Sequence, residues 1–135
     1  MGNTFTIKDT VGGGVIRANG ETARGIWNRF YTNLFVESGT IQGQYSSVDV
    51  QQGAKFTLTG GTIGGEFEGT KYAGVNVFGS GSTLTVNGGV IQSKDFAISG
   101  NAGSGGTTIN INGGTINSDI TGIYHPQPGT LNIYG

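Results

Sequence analysis

Two pairs of acidic residues have the spacing that carboxylate chemistry would need. Asp95 and Asp119 occupy nearly equivalent places in two similar stretches of sequence, and a single residue separates Glu66 from Glu68. Glycoside cleavage uses two carboxyl groups at a defined separation, one as an acid and the other as a base or nucleophile. A glycoside hydrolase or polysaccharide lyase is therefore one interpretation. The alternative is that eight acids on a short repetitive chain bring such a pair together by chance.

A second group of residues has the chemistry of sugar binding. Trp27 and Tyr124 end the matching phrases GIW and GIY, and Asp49, Asn76 and Ser99 each follow an apolar residue in the same way. Aromatic rings stack on the apolar faces of sugars, while carboxylate and amide groups bind hydroxyls. These residues predict a column of ligand contacts on an outer face. The alternative is that the two aromatic residues cover exposed edges.

Short apolar pairs recur along the chain and define the elements that would position these residues. Each pair has one residue between its members, which is typical of a strand with one buried face. In the first five repeats a further apolar residue follows the pair, as Ile41 follows Leu34/Val36. Another follows that one, as Val48 does, so each of these repeats has three strands. The shortest repeats are 22 residues, from Leu34 to Phe56 and from Ile109 to Leu131. The pairs are Phe5/Ile7, Leu34/Val36, Phe56/Leu58, Leu84/Val86, Ile109/Ile111 and Leu131/Ile133.

A glycine phrase lies between the first and second strands of most repeats. "TLTGGTI", "TVNGGVI" and "NINGGTI" are near copies of one another. A sharp bend at this point often needs a positive φ angle, which glycine adopts at little cost. A phosphate-binding glycine loop would need a following helix and usually a lysine, and neither is present. The phrase therefore predicts a corner, and Asn87 over Asn112 predicts a hydrogen-bonded ladder along the stack.

Charged side chains concentrate between the second and third strands. The loops there are longest from Arg17 to Gly25 and from Gly64 to Gly74. Loops on a repetitive scaffold often carry binding function, so these inserted corner loops are the leading candidate surface for contact with carbohydrate or protein, ahead of the outward column. The alternative is that loops simply tolerate charge. Its charged and aromatic residues are Arg17, Glu21, Arg24, Tyr45, Glu66, Phe67, Glu68, Lys71, Tyr72, Lys94, Asp95, Phe96 and Asp119.

Composition excludes several classes of function. The chain has 135 residues with 28 glycines, a formal net charge of −1 and seven basic residues, so no nucleic-acid footprint is indicated. It has no apolar run long enough to insert in a membrane. Without cysteine and with one histidine, it offers no thiolate or zinc site. No acid cluster makes a calcium cage, and we expect neither a metal nor a cofactor.

The phrases "FTIKDTVGGGVI", "LTVNGGVIQS" and "GGTINSDITGIYHPQPGTLNIYG" resemble the β-solenoid repeats of bacterial surface adhesin-like proteins and of phage fibre and tailspike proteins. The resemblance covers nearly the whole chain. It implies the right-handed parallel β-helix of the pectate-lyase-like superfold. It carries over no catalytic residue, because no residue set matches a catalytic motif of that group.

We therefore predict an all-β, single-stranded right-handed parallel β-helix of about five to six three-strand coils, forming one domain over residues 1–135 that ends in mid-coil. The expected function is a non-enzymatic, surface-exposed structural and binding module, extracellular, at a cell surface or on a virion. Its partner would be a carbohydrate or protein receptor. Self-association, as an end-to-end filament or a trimer, is the first alternative, and a polysaccharide-degrading enzyme is the second. The expected ligand contacts are Trp27, Asp49, Glu66, Lys71, Tyr72, Asn76, Asp95 and Tyr124.

Overall fold

The chain folds as a stack of short parallel strands. The structure, a computed structural model, describes residues 2–65, 72–100, 106–125 and 128–135. The secondary structure of these residues is entirely β, which confirms the predicted fold class. None of them belongs to a helix that could serve as a membrane-spanning segment.

Each full coil consists of three strands, and a last strand begins a sixth coil. Their bounds in chain order are β1 (Thr4–Ile7), β2 (Val15–Ala18), β3 (Arg24–Asn28), β4 (Asn33–Val36), β5 (Thr40–Gly43), β6 (Ser46–Gln51), β7 (Lys55–Leu58), β8 (Thr62–Gly64), β9 (Ala73–Phe78), β10 (Thr83–Val86), β11 (Val90–Ser93), β12 (Phe96–Ser99), β13 (Thr107–Ile111), β14 (Thr115–Ser118), β15 (Thr121–Tyr124) and β16 (Gly129–Ile133).

The coils stack so that each strand pairs with its counterparts one coil away. Sheet A has the order β1-β4-β7-β10-β13-β16, sheet B the order β14-β11-β8-β5-β2, and sheet C the order β15-β12-β9-β6-β3. All the pairings are parallel, as in a β-solenoid of about five turns. With adjacent coils about 4.8 Å apart, the stack is roughly 25 Å tall.

The register confirms the repeat that the apolar pairs predict. Leu34, Phe56 and Leu84 stand in one column of sheet A. Ile41 and Ile63 are stacked in sheet B, and Val48 and Val75 in sheet C. All of these residues are buried in one continuous core. The period-2 pattern therefore identified the inward face of sheet A, and the spacing of the repeat identified the inward residues of sheets B and C.

The glycine phrase forms the corner between sheets A and B. Gly89 has φ +78°, and a Cβ atom there would lie 2.8 Å from the carbonyl oxygen of Gly61 in the coil below. Gly88 is equally confined, because its Cβ atom would lie 2.5 Å from the carbonyl oxygen of Thr59. Both glycines are thus needed for adjacent corners to stack. The asparagine ladder is also present, with Nδ2 of Asn112 donating to Oδ1 of Asn87 at 2.8 Å.

Candidate functional site

The predicted ligand-binding column exists, but its middle is buried. Trp27, Asp49, Asn76, Ser99 and Tyr124 are in register on consecutive strands of sheet C. Trp27 and Tyr124, at the two ends, are exposed, whereas the three residues between them are buried. The expectation of a continuous solvent-facing column is therefore wrong for these three residues. The side chains of Arg24 and Gln51 contact Asp49, and the hydroxyl of Tyr72 lies beside that of Ser99.

Asp49 is the centre of a polar cluster in the buried part of the column. Its Oδ2 atom accepts hydrogen bonds from Nε of Arg24 and from Nε2 of Gln51, the latter at 3.0 Å. Its Oδ1 atom accepts from the hydroxyl of Ser46. Arg24 also forms an ion pair with this carboxylate, which has no exposed surface. The charge of Asp49 is thus matched within the fold and is not free for a ligand.

A row of aromatic rings runs along the stack beside this cluster. Tyr45 stacks on Tyr72 with ring centroids 5.0 Å apart, and Tyr72 meets Phe96 edge-on at 5.6 Å. Phe96 lies 5.1 Å from Tyr124 in a tilted arrangement. We call these four residues the aromatic ladder. Three of them, Tyr45, Tyr72 and Phe96, come from the corner between sheets B and C that the sequence indicated, and the structure brings these three side chains together.

The ladder lies beside the buried part of the column, and its rings pack against one another. The hydroxyl groups of Tyr72 and Ser99 are 3.2 Å apart, which places the ring of Tyr72 beside the buried serine. Burial raises the pKa of the Tyr45 phenol, and nearby Tyr72 and Asp49 raise it further, whereas Arg24 opposes them. Because Tyr45 and Tyr72 lie face to face, the face that each turns to the other cannot stack on a sugar.

Two guanidinium groups extend the row beyond Tyr45 into the first coil. Cζ of Arg24 lies 5.1 Å from the centroid of Tyr45 and 4.8 Å from that of Trp27. Cζ of Arg29 lies 4.2 Å from the centroid of Trp27 and 4.6 Å from that of Phe30. Such contacts are each worth about 0.5–1 kcal/mol at exposed positions. They hold both arginines against the outer surface of the first two coils.

An open apolar cavity adjoins the end of this row. It has a volume of about 490 Å³, and its lining includes Phe5, Trp27, Arg29 and Phe30, which we call the first-coil patch. Phe5 is 57% exposed, Trp27 51% and Phe30 60%. Exposed apolar patches of this kind usually mark an interaction site.

The backbone of the first coil is strained where it presents these rings. Phe30 and the neighbouring Tyr31 have φ angles of 55° and 61°. Aromatic residues rarely adopt this left-handed conformation, which costs of order 1–3 kcal/mol at such a residue. The next coil has Gln52 and Gly53 at the corresponding corner, also with positive φ. Two bulky aromatic side chains thus stand where a glycine would suit the backbone better.

The remaining predicted contacts are more scattered. Lys71 and Glu66 lie outside the described residues. Asp95 is half-buried and Asp119 exposed, and their coils are adjacent, since the amide of Asp119 donates to the carbonyl of Lys94 at 3.2 Å. Within the part of the chain that the structure describes, no group of three or more potential metal ligands occurs.

The inserted loop of the first coil is anchored on the second coil. Nε of Arg17 donates to Oε1 of Gln42 at 2.8 Å, and the amide of Gly20 donates to Oε1 of Gln44 at 2.6 Å. The amide of Tyr45 donates to the carbonyl of Ala23 at 2.9 Å. The loop therefore leads into β3 along a defined path and helps to fix where Arg24 and Trp27 lie.

Sequence reasoning missed Phe5, Arg29 and Phe30 as members of one site. A signal was available, because "RFYT" places two aromatic residues at a corner where the next repeat has "QQGA". No family of known proteins, no curated protein and no solved structure shows a significant match to this chain. The site must therefore be interpreted from its own chemistry.

Proposed function

We propose that this chain is a non-enzymatic binding module that contacts a protein partner through the first-coil patch. The observation that carries the proposal is the cluster of Phe5, Trp27 and Phe30, all more than half exposed, around an apolar cavity that Arg29 also lines. Aromatic residues and arginine are the types enriched at the energetically dominant positions of protein interfaces. On a repetitive scaffold, function resides in such a local patch, whereas the core specifies the fold.

A protein partner suits this surface better than a carbohydrate. Sugar recognition needs aromatic faces together with polar groups for the hydroxyls. Asp49 and Asn76, which were expected to supply those groups, are buried, and the carboxylate of Asp49 is occupied by three side chains. Trp27 already has two guanidinium groups packed against its ring. A sugar would have to displace an arginine to use the ring faces that these groups cover.

The wider setting that we propose is that of an adhesin-like or phage-fibre-like protein, at a cell surface or on a virion. Two points support this setting. The repeat phrases resemble those of such proteins, and the chain forms the expected parallel solenoid, whose strands carry mainly polar residues on their outward faces. A stiff stack of coils would hold the first-coil patch in a fixed orientation toward its partner.

The test is a pair of selections on the same purified chain. A random linear peptide library and a glycan array are each probed with the wild-type chain, with Phe30→Ser and with Phe35→Ser. Phe35 is a matched control because it is also an outward-facing phenylalanine, but on sheet A outside the cavity lining. We expect enriched peptides that bind the wild type and Phe35→Ser, and that bind Phe30→Ser at least ~10-fold more weakly, as at an interface hot spot.

Three outcomes would contradict the proposal. Glycan binding that depends on Phe30, with no enriched peptide, would restore the carbohydrate interpretation. Failure of both libraries to bind the wild type would remove the first-coil patch as a binding site. Release of reducing or unsaturated sugars from a polysaccharide, abolished in Asp95→Asn, would show an enzyme instead.

End-to-end self-association is a second candidate, favoured by the exposure of core-type residues at both terminal coils. Phe5 and Ile16, which continue inward columns of the stack, are exposed at one end, and Leu131 and Ile133 at the other. Direct continuation of the stack is not simple, however. Sheet A has one strand more than sheets B and C, so β1 of a second copy could pair with β16 only by leaving one strand position empty in each of the other sheets.

Analytical ultracentrifugation over a wide range of protein concentration tests this candidate. Association that is lost in Ile133→Glu but kept in Ile120→Glu would support end-to-end packing, because Ile120 is exposed outside the strands. A monomer at every concentration would contradict it.

A further inference from the structure

We infer that the first-coil patch selects a partner segment carrying a carboxylate beside an apolar side chain, with Arg29 as the residue that binds the carboxylate. This inference rests on the proposed function and specifies the chemistry of the partner. It comes from comparing the two arginines that pack against Trp27. They have similar surroundings but differ in how their charge is balanced.

Arg24 is compensated within the fold, whereas Arg29 has no acidic partner in the described residues. The guanidinium of Arg24 packs on Trp27 and Tyr45 and forms an ion pair with the buried carboxylate of Asp49. The guanidinium of Arg29 packs on Trp27 and Phe30 in the same manner. Its described hydrogen bond runs from Nε to Oε1 of Gln52 at 3.0 Å, and Gln52 is uncharged. The second arginine is therefore available for an external anion.

Arg29 is also held in a defined orientation. The contacts with two rings and the hydrogen bond to Gln52 restrict its rotation before any partner binds. Neither of its terminal nitrogens has a hydrogen-bond acceptor among the residues that the structure describes. A guanidinium presents paired donors that match the two oxygens of a carboxylate. Less side-chain entropy is lost on binding when the group is already oriented.

The cavity beside Arg29 determines what should accompany the carboxylate. The half-buried Ile7 and Ile26 line it together with the first-coil patch. These side chains offer apolar surface, so burying an aliphatic or aromatic side chain there removes water from both partners. Partial removal of water also strengthens the attraction between Arg29 and a carboxylate. An acidic residue next to an apolar one on an extended segment supplies both groups.

The experiment uses the peptide selection with wild-type chain and Arg29→Gln as parallel baits. We expect peptides selected on the wild type to be enriched in Asp or Glu adjacent to an apolar residue. Peptides selected on Arg29→Gln should lack that acidic enrichment. Peptides selected on the wild type that depend on Phe30 but show no acidic preference would overturn this inference and leave the proposed function intact. A wild-type chain that selects no peptide at all would overturn both.

Calorimetric titration then isolates the contact between Arg29 and the peptide carboxylate. It compares the most enriched acidic peptide with its amide analogue, in which Glu is replaced by Gln or Asp by Asn. Loss of the charge-assisted contact should weaken binding of the acidic peptide to Arg29→Gln by about 10-fold. The amide analogue should bind wild type and Arg29→Gln equally. Lys55→Gln is the control, because Lys55 is an exposed cation on sheet A outside the cavity lining. If this variant weakens binding as much as Arg29→Gln does, general electrostatic attraction and not Arg29 is responsible.

Discussion

The carboxylate of Asp49 accepts hydrogen bonds from three side chains although it projects from the outside of a sheet. Taking a carboxylate out of water costs several kcal/mol unless partners replace the lost hydration. Here Arg24, Ser46 and Gln51 replace it. At the scale of single residues, the outer surface of sheet C is therefore organised like a small second core. That organisation also explains why the carboxylate of Asp49, which has suitable chemistry for binding sugar hydroxyls, is not available to a ligand.

Replacing Asp49 tests how far that cluster stabilises the fold. Asp49→Ala leaves the charge of Arg24, whose side chain is only 28% exposed, without its partner. We expect a loss of about 3 kcal/mol in the free energy of unfolding, measured by urea denaturation. The exposed Lys8–Glu37 pair, at 3.3 Å, is the matched control. Glu37→Gln should cost less than about 1 kcal/mol, and equal losses in the two variants would contradict this account.

Asp9 gives a prediction about pH. The amide of Gly14 donates to its Oδ2 atom at 2.7 Å, and the amides of Gly12 and Val11 donate to Oδ1 at 2.8 and 3.1 Å. These bonds, that of Gly14 foremost, lower the pKa of Asp9 below its usual value. A lowered folded-state pKa stabilises the loop above the unfolded-state pKa, and this stabilisation is lost as pH falls through the folded-state value.

We therefore expect the amide proton shifts of Gly12 and Gly14 to move toward unstructured values at acid pH, with a midpoint below the usual aspartate pKa. NMR titration from neutral to strongly acidic pH measures this transition. Asp9→Asn should abolish the transition. A midpoint at or above the usual aspartate value would contradict the role of the three amide donors.

At the scale of the elements, the glycine corner makes the stacking of coils possible. Gly89→Ala adds a methyl group to a backbone with φ +78° and brings it 2.8 Å from a carbonyl oxygen of the coil below. The expected cost is about 1–3 kcal/mol, measured by thermal or urea unfolding. Gly122→Ala is the control, since no atom lies within 4 Å of the added Cβ and its φ is not positive. A loss in Gly122→Ala as large as that in Gly89→Ala would show that corner geometry is not the cause.

The strands and corners could be predicted from the sequence because they depend on local rules. Period-2 alternation placed Phe56 on the inward face, the spacing of the repeat placed Ile41 and Val48 there, and the glycine phrase placed the bend at Gly89. The burial of Asp49 could not be predicted in this way. It depends on Arg24, which is 25 residues away in sequence and reaches across from the neighbouring coil. The first-coil patch was missed for a similar reason. Phe5 and Phe30 are far apart in sequence, and only the folded first coil brings them to the same cavity.

At the scale of the whole molecule, each coil depends on its neighbours for burial. Phe56 and Leu84, in the middle of the stack, have no exposed surface, whereas Leu131 in the same column is 37% exposed. In a stack of repeats, stability is approximately a sum of repeat terms and nearest-neighbour interface terms. A residue in a terminal coil has one such interface, and a residue in an inner coil has two.

Leu84→Ala and Leu131→Ala form a matched pair that measures this difference, because the same side chain is removed from the same column. Leu84→Ala should lower the free energy of unfolding by about 3–4 kcal/mol through lost burial and an unfilled cavity. Leu131→Ala should cost only about 1 kcal/mol, since much of its side chain already contacts water. Urea denaturation at several protein concentrations gives both values. A cost for Leu131→Ala that rises to the Leu84→Ala value at high concentration would show that a second copy covers this end, and equal costs at every concentration would contradict its exposure.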